Sequence, residues 1–498
     1  MTGRTPTRIE RWLAFAATLA ATLAWIGWSH AGLTLSHYDA KAHLVVARRV
    51  IDNLTPGWQQ IGAVWLPLPH LINLAPTQID FFYRTGAFAS AVSVACFGIT
   101  AWAGARFIQR HTGSAAGMIA TTLLLALNPN LLYLHATPMS EPLLIAVSFL
   151  VVLWLDEWLS GTIEEPVPGK LHLVMCAAAW TRYEAWLVLA AALGLAALSL
   201  LARRVPVRQI GGVILRLAAW PALAVALFLL NSRMTVGSWF VSNGFYVPDP
   251  TYQGLAARSA LAVWWGTHQL SGYVLEVAGL AAAGMIVVRG GSGVVVLSLF
   301  STAALPFYAF VEGHPFRIRY MVPLVAACAL AGGLGIGLIE ARLKPGGRAL
   351  AALLAAVLIL STLIESPTWR TTAPLIAEST WDIPASLERR AVTRCLAPAY
   401  RGEKILASMG SLAHYMQELS AEGFDIADFI NEGNGTIWNV AVSSGPAPHA
   451  GWMLVEETAE GGDLLAQRIR ADATFADGMV RVCEGGGVAL YRRSAADR

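Results

Sequence analysis

The chain has 498 residues, of which 56% are hydrophobic and only 13% are charged, and its net charge is +3. A soluble protein carries about 25% charged residues, so this chain is too poor in charge to cover its own surface, and a membrane protein is predicted. The small net charge gives no sign of a nucleic-acid partner. The composition also excludes disordered, fibrous and small disulfide-rich proteins.

Apolar stretches long enough to cross about 30 Å of hydrocarbon recur along the first part of the chain. They lie at residues 12–28, 85–107, 115–134, 142–154, 171–179, 186–201, 214–230, 274–288, 294–310, 321–339 and 350–364. The sequence therefore predicts a polytopic α-helical membrane domain over residues 1–364, with about eleven transmembrane helices. The first outer loop of this domain, residues 29–83, is unusually long.

Basic residues near the ends of the spans predict the orientation, because Lys and Arg are retained on the cytoplasmic side. One set of alternate connections holds Arg8, Arg11, Arg106, Arg110 and Arg203. This set is predicted to be cytoplasmic, which places the amino terminus inside. An odd number of spans then places the carboxyl terminus outside, in a multi-pass protein of the plasma (inner) membrane.

The composition changes after residue 364, where about half of the acidic residues lie in the last quarter of the chain. Strand-like segments at 404–408, 452–456, 479–482 and 488–491 accompany helix-like segments at 411–419 and 463–470. This pattern predicts a small extracytoplasmic α/β domain over residues 365–498. Cys395 and Cys483 lie in it, where a disulfide and two free thiols are both open.

The first outer loop carries the first candidate site residue, Asp39. Apolar residues at helical spacing follow it, which predicts an amphipathic helix lying on the membrane surface; they are Leu44, Ala47, Ile51 and Leu54. One interpretation makes Asp39 an N-cap carboxylate of this helix. The other makes it a general base that the helix N-terminus keeps ionised, and the two roles are compatible.

Further polar residues of this loop allow more than one interpretation. His37, Asp39 and His43 form a possible metal cluster, but their mixed types and irregular spacing favour plain hydrogen bonding, and no cofactor is assigned. The stiff segment from Trp65 to His70 contains two prolines. It either guides the chain back to the membrane or lines an acceptor site.

Glu141 stands at the outer end of the third and fourth spans. A carboxylate beside hydrocarbon is costly unless it is partnered, which makes Glu141 a functional candidate. The alternative is a first-turn acid with Ser140 as the helix cap. In the turn after the fifth span, Arg182 either pairs with Glu184 or holds an anionic lipid headgroup.

A last charged group precedes the tenth span and contains Glu312, His314, Arg317, Arg319 and Tyr320. Carboxylates on the early outer loops and cations on the later ones would then meet one face of the membrane. Such an arrangement suits a reaction in which a base activates an acceptor while cations take the charge of a departing phosphate.

The order and common side of these positions resemble the GT-C superfamily of glycosyltransferases, in the branch of protein O-mannosyltransferases and lipid A aminoarabinose transferases. The resemblance covers about residues 12–364 and is carried by Asp39, Glu141, the turn at Thr181-Arg182-Tyr183, and Arg319-Tyr320 with Pro323. Two features depart from the family pattern. Ala40 stands where many members have a second acid, and the later proline motif of the first loop is replaced by the segment from Trp65 to His70.

The resemblance implies transfer of a sugar from a polyprenyl-phosphate carrier to a lipid, glycan or protein hydroxyl on the extracytoplasmic face. Asp39 would be the base on the acceptor, and Glu141 would help to orient acceptor or sugar. Arg182, Arg317 and Arg319 would hold the donor phosphate. The other residues expected to bind substrate are Tyr38, Lys41, His43, Trp65, His70, Tyr183 and Tyr320. The departures argue against a divalent metal held by adjacent carboxylates.

Two rival functions are compatible with many spans. A lipid or solute transporter, or a flippase, would place ionisable residues at the membrane midplane and often shows inverted repeats. Glu276 is the main intramembrane carboxylate, and no repeat is visible. A non-catalytic scaffold needs far fewer spans than eleven for anchoring. The expected partners are therefore membrane lipids, a polyprenyl-phosphate-linked sugar and a hydroxyl-bearing acceptor.

Overall fold

The computed structural model describes residues 7–241, 248–343, 346–367, 372–458 and 462–494. Within these ranges the chain is mostly helical and has a small sheet near its carboxyl terminus. The described residues form two compact units. The first, called the helical unit, falls within Met1–Ala31, Ser90–Leu230 and Pro250–Glu378; the second, called the composite unit, falls within Gly32–Ala89, Asn231–Asp249 and Ser379–Arg498.

The elements are numbered in chain order. Helices α1 to α11 are Arg8–His30, Tyr38–Arg48, Leu68–Asn73, Asp80–Thr85, Ala87–His111, Ala115–Ala126, Pro129–Leu134, Glu141–Leu159, Gly169–Ala179, Tyr183–Ala202 and Val207–Val236. Helices α12 to α21 are Ala256–Ser271, Tyr273–Arg289, Ala304–Val311, Val322–Leu343, Gly347–Glu365, Pro374–Thr380, Ile383–Leu396, Met409–Leu419, Thr436–Ser444 and Leu464–Ala471. Strands β1 to β5 are Ile405–Ala407, Phe429–Ile430, Trp452–Glu456, Met479–Gly485 and Val488–Arg493.

Eight helices in the described part of the chain are long and apolar enough to cross a membrane. These helices are compatible with a multi-pass membrane protein. The remaining three predicted spans, at 115–134, 171–179 and 274–288, form shorter helices. The last of them, α13, passes the same test only together with α12, from which it is bent by 112°.

The apolar run at 115–134 is broken by its own sequence. The side chain of Asn128 accepts hydrogen bonds from the N–H groups of Asn130 at 3.0 Å and Leu131 at 3.1 Å, which starts a new helix, α7. Pro129 occupies the first position of α7, where its missing N–H costs nothing. The run is therefore two helices, α6 and α7, rather than one span.

The composite unit contains a five-stranded sheet with the order β2-β1-β3-β5-β4. β1 runs parallel to β2 and β3, whereas β5 runs antiparallel to β3 and β4. Strands β1, β3, β4 and β5 and helices α19 and α21 confirm the six segments predicted from the sequence. The sequence missed β2, which has only two residues.

The first outer loop forms part of the core of the composite unit. Leu44, Val45 and Tyr83 pack in the same buried cluster as Trp452 and Leu490 of the sheet. The predicted helix is present as α2, but residues 39–48 are all buried within protein, so α2 presents no apolar face to a membrane surface. The predicted domain limits at residues 1–364 and 365–498 stay predictions, while the contacts group the first loop with the carboxyl-terminal residues.

Arg48 connects the last turn of α2 to the rest of the composite unit. Its guanidinium donates to Asp52 at 2.7 Å, to Asp80 at 2.7 Å and to Asp425 at 3.0 Å. It also lies 4.5 Å from the centre of the Tyr83 ring. A buried guanidinium is tolerated here because carboxylates surround it.

Cys395 of α18 and Cys483 of β4 form a disulfide, with their Cα atoms 6.5 Å apart. The sequence had left this pairing open. The other three cysteines, Cys96, Cys176 and Cys328, are free thiols within helices. The disulfide closes a loop of 88 residues within the composite unit, which restricts the unfolded chain.

Candidate functional site

The helical unit brings several predicted site residues together in a group called the arginine cluster, which consists of Glu141, Arg182, Glu184 and Arg319. Nη1 of Arg182 lies 3.2 Å from Oε1 of Glu141, and Nη2 of Arg182 lies 2.8 Å from Oε1 of Glu184. Nε of Arg319 lies 3.7 Å from the same Glu141 oxygen. Glu141 is fully buried, so two guanidinium groups converge on one buried carboxylate.

Each member of the arginine cluster is placed by the end of a helix. α8 begins at Glu141, with Pro142 in its first turn. Ser140 is the N-cap residue, but its hydroxyl accepts a hydrogen bond from Arg182 at 2.9 Å instead of capping α8. Arg182 itself precedes α10, and Arg319 lies in a short 3-10 turn before α15. The first-turn acid and the Arg182–Glu184 pair expected from the sequence are both present.

Two tyrosines predicted to bind substrate have different neighbours in the helical unit. The guanidinium of Arg319 lies 5.4 Å from the centre of the Tyr320 ring, which joins Tyr320 to the arginine cluster. The Tyr320 hydroxyl is 3.4 Å from Nε2 of His314. Tyr183 instead packs edge-on against Trp186, with ring centres 5.2 Å apart.

Glu378 of α17 is a carboxylate near the arginine cluster that the sequence did not single out. Its Oε2 accepts a hydrogen bond from the Ile318 N–H at 2.6 Å. Burial raises the pKa of Glu378 above its ordinary value, although Arg319 and Arg317 oppose this shift. Arg317 thus lies close enough to act on the same carboxyl group as Arg319, and its own Nη1 donates to the Phe316 carbonyl.

The charges of the arginine cluster balance when its two arginines and two glutamates are ionised. Guanidinium groups bind carboxylate and phosphate with the same planar, two-pronged geometry. A phosphate entering the cluster would therefore compete with Glu141 and Glu184 for donors that are already in place. The arrangement suits stabilisation of a negative charge that develops during a reaction.

The start of α2 in the composite unit carries Asp39. Nδ1 of His37 accepts a hydrogen bond from the Asp39 N–H at 3.0 Å, so His37 is the N-cap residue. The interpretation of Asp39 as the N-cap is therefore wrong. Asp39 is the second residue of α2 and is buried, and a carboxylate in a first helical turn is stabilised by the helix dipole.

Lys41 belongs to a second charged group, called the lysine cluster, which consists of Lys41, Asp382, Arg389 and Glu418. Nζ of Lys41 lies 2.5 Å from Oε1 of Glu418. Arg389 donates to the two oxygens of Asp382 at 3.0 and 2.6 Å and lies 3.3 Å from Glu418. Burial acts to raise the pKa of Glu418, but Lys41 and Arg389 outweigh it and hold that pKa at about 2.

Tyr38 contacts two aromatic residues that the sequence did not single out. Its ring centre is 5.9 Å from that of Trp381 and 6.2 Å from that of His414, both in edge-on geometry. Trp381 is half exposed, whereas His414 is buried. Burial, followed by the charge of Arg389, lowers the pKa of His414 to about 4, so its imidazole is neutral at neutral pH.

His43, Trp65 and His70, all predicted to bind substrate, come together in one group. Nδ1 of His43 is 3.0 Å from Nε2 of His70. The Trp65 ring centre is 4.2 Å from that of His43 and stacks 5.9 Å from that of His70. Burial, with the charges of His43 and Arg49, lowers the pKa of His70 well below its ordinary value. The group is therefore aromatic and uncharged at His70.

The described residues include no group of three or more His, Cys, Asp or Glu side chains arranged to hold a metal ion. Two of the three ligands considered from the sequence have other partners. His37 caps α2, and His43 bonds to His70.

Comparison with known proteins adds no relative. No protein-family model and no curated protein sequence matches this chain. The function is therefore proposed from the chemistry of the two units.

Proposed function

We propose that this chain is an integral-membrane glycosyltransferase that moves a sugar from a polyprenyl-phosphate donor to a hydroxyl acceptor. The observation that carries the proposal is the convergence of Arg182 and Arg319 on Glu141 in the arginine cluster. Two guanidinium groups held at one point supply the charge that a departing phosphate needs. The long apolar helices suit a donor whose carrier is a lipid.

The reaction would form one bond and break one. The acceptor oxygen attacks the anomeric carbon of the sugar while Asp39 takes the hydroxyl proton. The bond between the anomeric carbon and the phosphate oxygen breaks, and that oxygen leaves with the bonding electrons. Arg182 and Arg319 stabilise the charge that the phosphate gains. Asp39 remains protonated until it loses its proton to solvent.

The remaining predicted residues support the proposal by their chemistry. His43, Trp65 and His70 form an aromatic group in which burial keeps His70 neutral, which suits an uncharged sugar or hydroxyl better than a phosphate. Tyr320 accompanies Arg319. Glu141 orders the two arginines before the donor arrives and would orient acceptor or sugar once the phosphate has taken its place.

The proposal includes the membrane arrangement expected from the sequence, with a cytoplasmic amino terminus and an extracytoplasmic carboxyl-terminal region. The bent pair α12 and α13 would raise the eight spans to nine, and the short apolar helices α6 and α9 would raise them to eleven. The disulfide between Cys395 and Cys483 supports an oxidising compartment for the composite unit. A thiol titration of the denatured, unreduced protein should therefore find three free cysteines.

Transport is the second candidate, and one observation favours it. The break between α12 and α13 places Nδ1 of His268 3.5 Å from Oε2 of Glu276. Broken helices that carry ionisable groups are typical of secondary transporters. A transporter would move its substrate across a sealed vesicle without cleaving a polyprenyl-phosphate sugar, so donor cleavage separates the two functions.

The test uses the full chain in proteoliposomes with a radiolabelled polyprenyl-phosphate sugar. Asp39→Asn keeps the size of the side chain but removes the base, and transfer should fall about 10²- to 10⁴-fold. Asp477→Asn is the matched control, because Asp477 is exposed and lies outside both clusters. Transfer by Asp39→Asn at the wild-type rate would remove Asp39 from the base role. Absence of donor cleavage by the wild-type protein, across a panel of sugars, would reject the glycosyltransferase.

A further inference from the structure

The helix that carries Asp39 is too short to hold its own position. α2 has 11 residues, and isolated helices shorter than about 12–15 residues are marginal in water. Its place must therefore come from contacts with the rest of the composite unit. Charged contacts hold it near both ends, through Arg48 in the last turn, which pairs with Asp80 and Asp425, and through Lys41 in the first turn.

The contact of the first turn is a network rather than a single ion pair. Oε1 of Glu418 accepts from Lys41 at 2.5 Å and from the hydroxyl of Ser386 at 3.0 Å. Arg389 approaches the same oxygen at 3.3 Å and is fixed in turn by both oxygens of Asp382. The network thus joins α2 to α18 and α19 through side chains that are mostly buried.

This network balances the positive charge of Lys41 within the protein. Lys41 is only 8% exposed, and its ammonium group faces a carboxylate that is already fixed by α18. Lys41 lies two residues beyond Asp39 in the same helical turn, so a shift of Lys41 moves the backbone that carries Asp39.

We infer that Glu418 is a positioning residue for the acceptor base: through Lys41 it fixes the first turn of α2 and thereby the place of Asp39. The inference rests on the proposed function, because it assumes that Asp39 takes the acceptor proton. It assigns a role in the reaction to the carboxyl-terminal region, whose helix α19 supplies Glu418. A displacement of about 1 Å at a catalytic group costs up to about 10²-fold in rate.

The experiment compares three variants of the full chain in proteoliposomes. Glu418→Gln removes the carboxylate charge, Lys41→Met removes its partner, and the double variant removes both charges together. Each single variant should lower kcat about 10- to 100-fold and leave KM for the donor within about twofold. The double variant should be no slower than the slower single variant, because both act on one contact.

Two controls separate positioning from general damage. Glu457→Gln breaks the exposed ion pair with Arg481 in the same unit and should leave kcat unchanged. Glu418→Asp keeps the charge but draws it back by one methylene, and it should recover part of the lost kcat. Size-exclusion profiles and melting temperatures identify any variant that fails to fold. Lys41→Met and the double variant are the least prone to this failure, because neither leaves Lys41 buried without Glu418.

The outcomes distinguish this inference from the proposed function. If folded Glu418→Gln has the kcat of the wild type while Asp39→Asn has lost its activity, the positioning role is wrong and the proposed glycosyltransferase function is unaffected. A raised KM for the donor in Lys41→Met, with kcat unchanged, would indicate that Lys41 binds the donor and would also overturn the inference. Absence of donor cleavage by the wild-type protein would instead reject the proposed function.

Discussion

The arginine cluster and the lysine cluster contain the same groups, two cations and two carboxylates, but differ in how tightly these groups are held. In the lysine cluster, Lys41 and Arg389 lie 2.5 and 2.6 Å from their carboxylate partners. In the arginine cluster, Arg182 lies 2.8 Å from Glu184, but the two guanidinium groups that converge on Glu141 lie 3.2 and 3.7 Å from it. Contacts below about 3 Å are full hydrogen bonds that fix a position, whereas longer ones are weaker. The lysine cluster therefore resembles a structural joint, whereas the contacts to Glu141 are the weaker ones of the arginine cluster, and the proposed mechanism requires these contacts to give way to phosphate.

Among changes to the two clusters, the largest effect is expected for the removal of Arg319. Arg319→Ala should lower kcat/KM for the donor about 10²- to 10³-fold, because in the proposed mechanism this guanidinium stabilises the leaving phosphate. The kcat/KM of Arg319→Lys should lie between those of the wild type and of Arg319→Ala, since lysine keeps the positive charge but not the planar fork of the guanidinium. Steady-state kinetics with donor and acceptor varied separately measure this.

Arg258→Gln is the control for that experiment, because Arg258 is exposed on α12 of the same unit. KM for the acceptor should be unchanged in all three variants. An Arg319→Ala enzyme that uses donor as well as the wild type would mean that the arginine cluster is a structural joint as well.

The second expected effect concerns stability of the composite unit. Leu44→Ala should lower the free energy of unfolding by about 2–5 kcal/mol, because Leu44 is fully buried in the core that the first loop shares with the sheet. Ile51→Ala, at an exposed position of the same loop, should change it by less than about 0.5 kcal/mol. Pulse proteolysis in urea compares the two variants. Equal stability of the two variants would contradict the packing of the first loop in the carboxyl-terminal core.

The third expected effect is a pH dependence that belongs to the lysine cluster. The pKa of Glu418 is depressed to about 2 in the folded protein, from an ordinary value of 4.5. Its contribution to stability is therefore complete above about pH 4.5 and is lost as the pH falls from there toward 2. The loss should be on the order of 3 kcal/mol.

Glu418→Gln is the comparison for that measurement. The variant should be less stable than the wild type at pH 7, because Lys41 loses its counter-ion, but its stability should change less between pH 4.5 and 2. Parallel pH profiles of unfolding for the two proteins would contradict a charged Glu418–Lys41 contact.

Local features of the sequence predicted several parts of the fold and of the clusters. Arg182 and Glu184 carry opposite charges two residues apart at a turn, which predicts their pairing, and the extended conformation of Arg182 before α10 lets the two side chains meet. The alternating segments of the carboxyl-terminal region gave four strands and two helices. Asn128-Pro129 is a helix-breaking pair that is visible in the sequence, and it explains why residues 115–134 form two helices instead of the single continuous helix predicted from their apolar content.

Contacts between distant segments were not predictable in this way. Lys41 and Glu418 are 377 positions apart, and no spacing rule links a residue of the first loop to a helix near the carboxyl terminus. The burial of α2 was not predictable either, because helical spacing indicates an apolar face but not which surface covers that face. Trp381 and His414 were missed because only the fold brings them to Tyr38.

The proposed donor site is tested most directly by a structure of the full chain with a non-cleavable polyprenyl-phosphonate sugar bound. We expect the phosphonate within hydrogen-bond distance, about 3 Å, of both Arg182 and Arg319, with Asp39 facing the anomeric carbon of the sugar. A phosphonate bound away from both arginines, or a sugar turned away from Asp39, would contradict the proposed site.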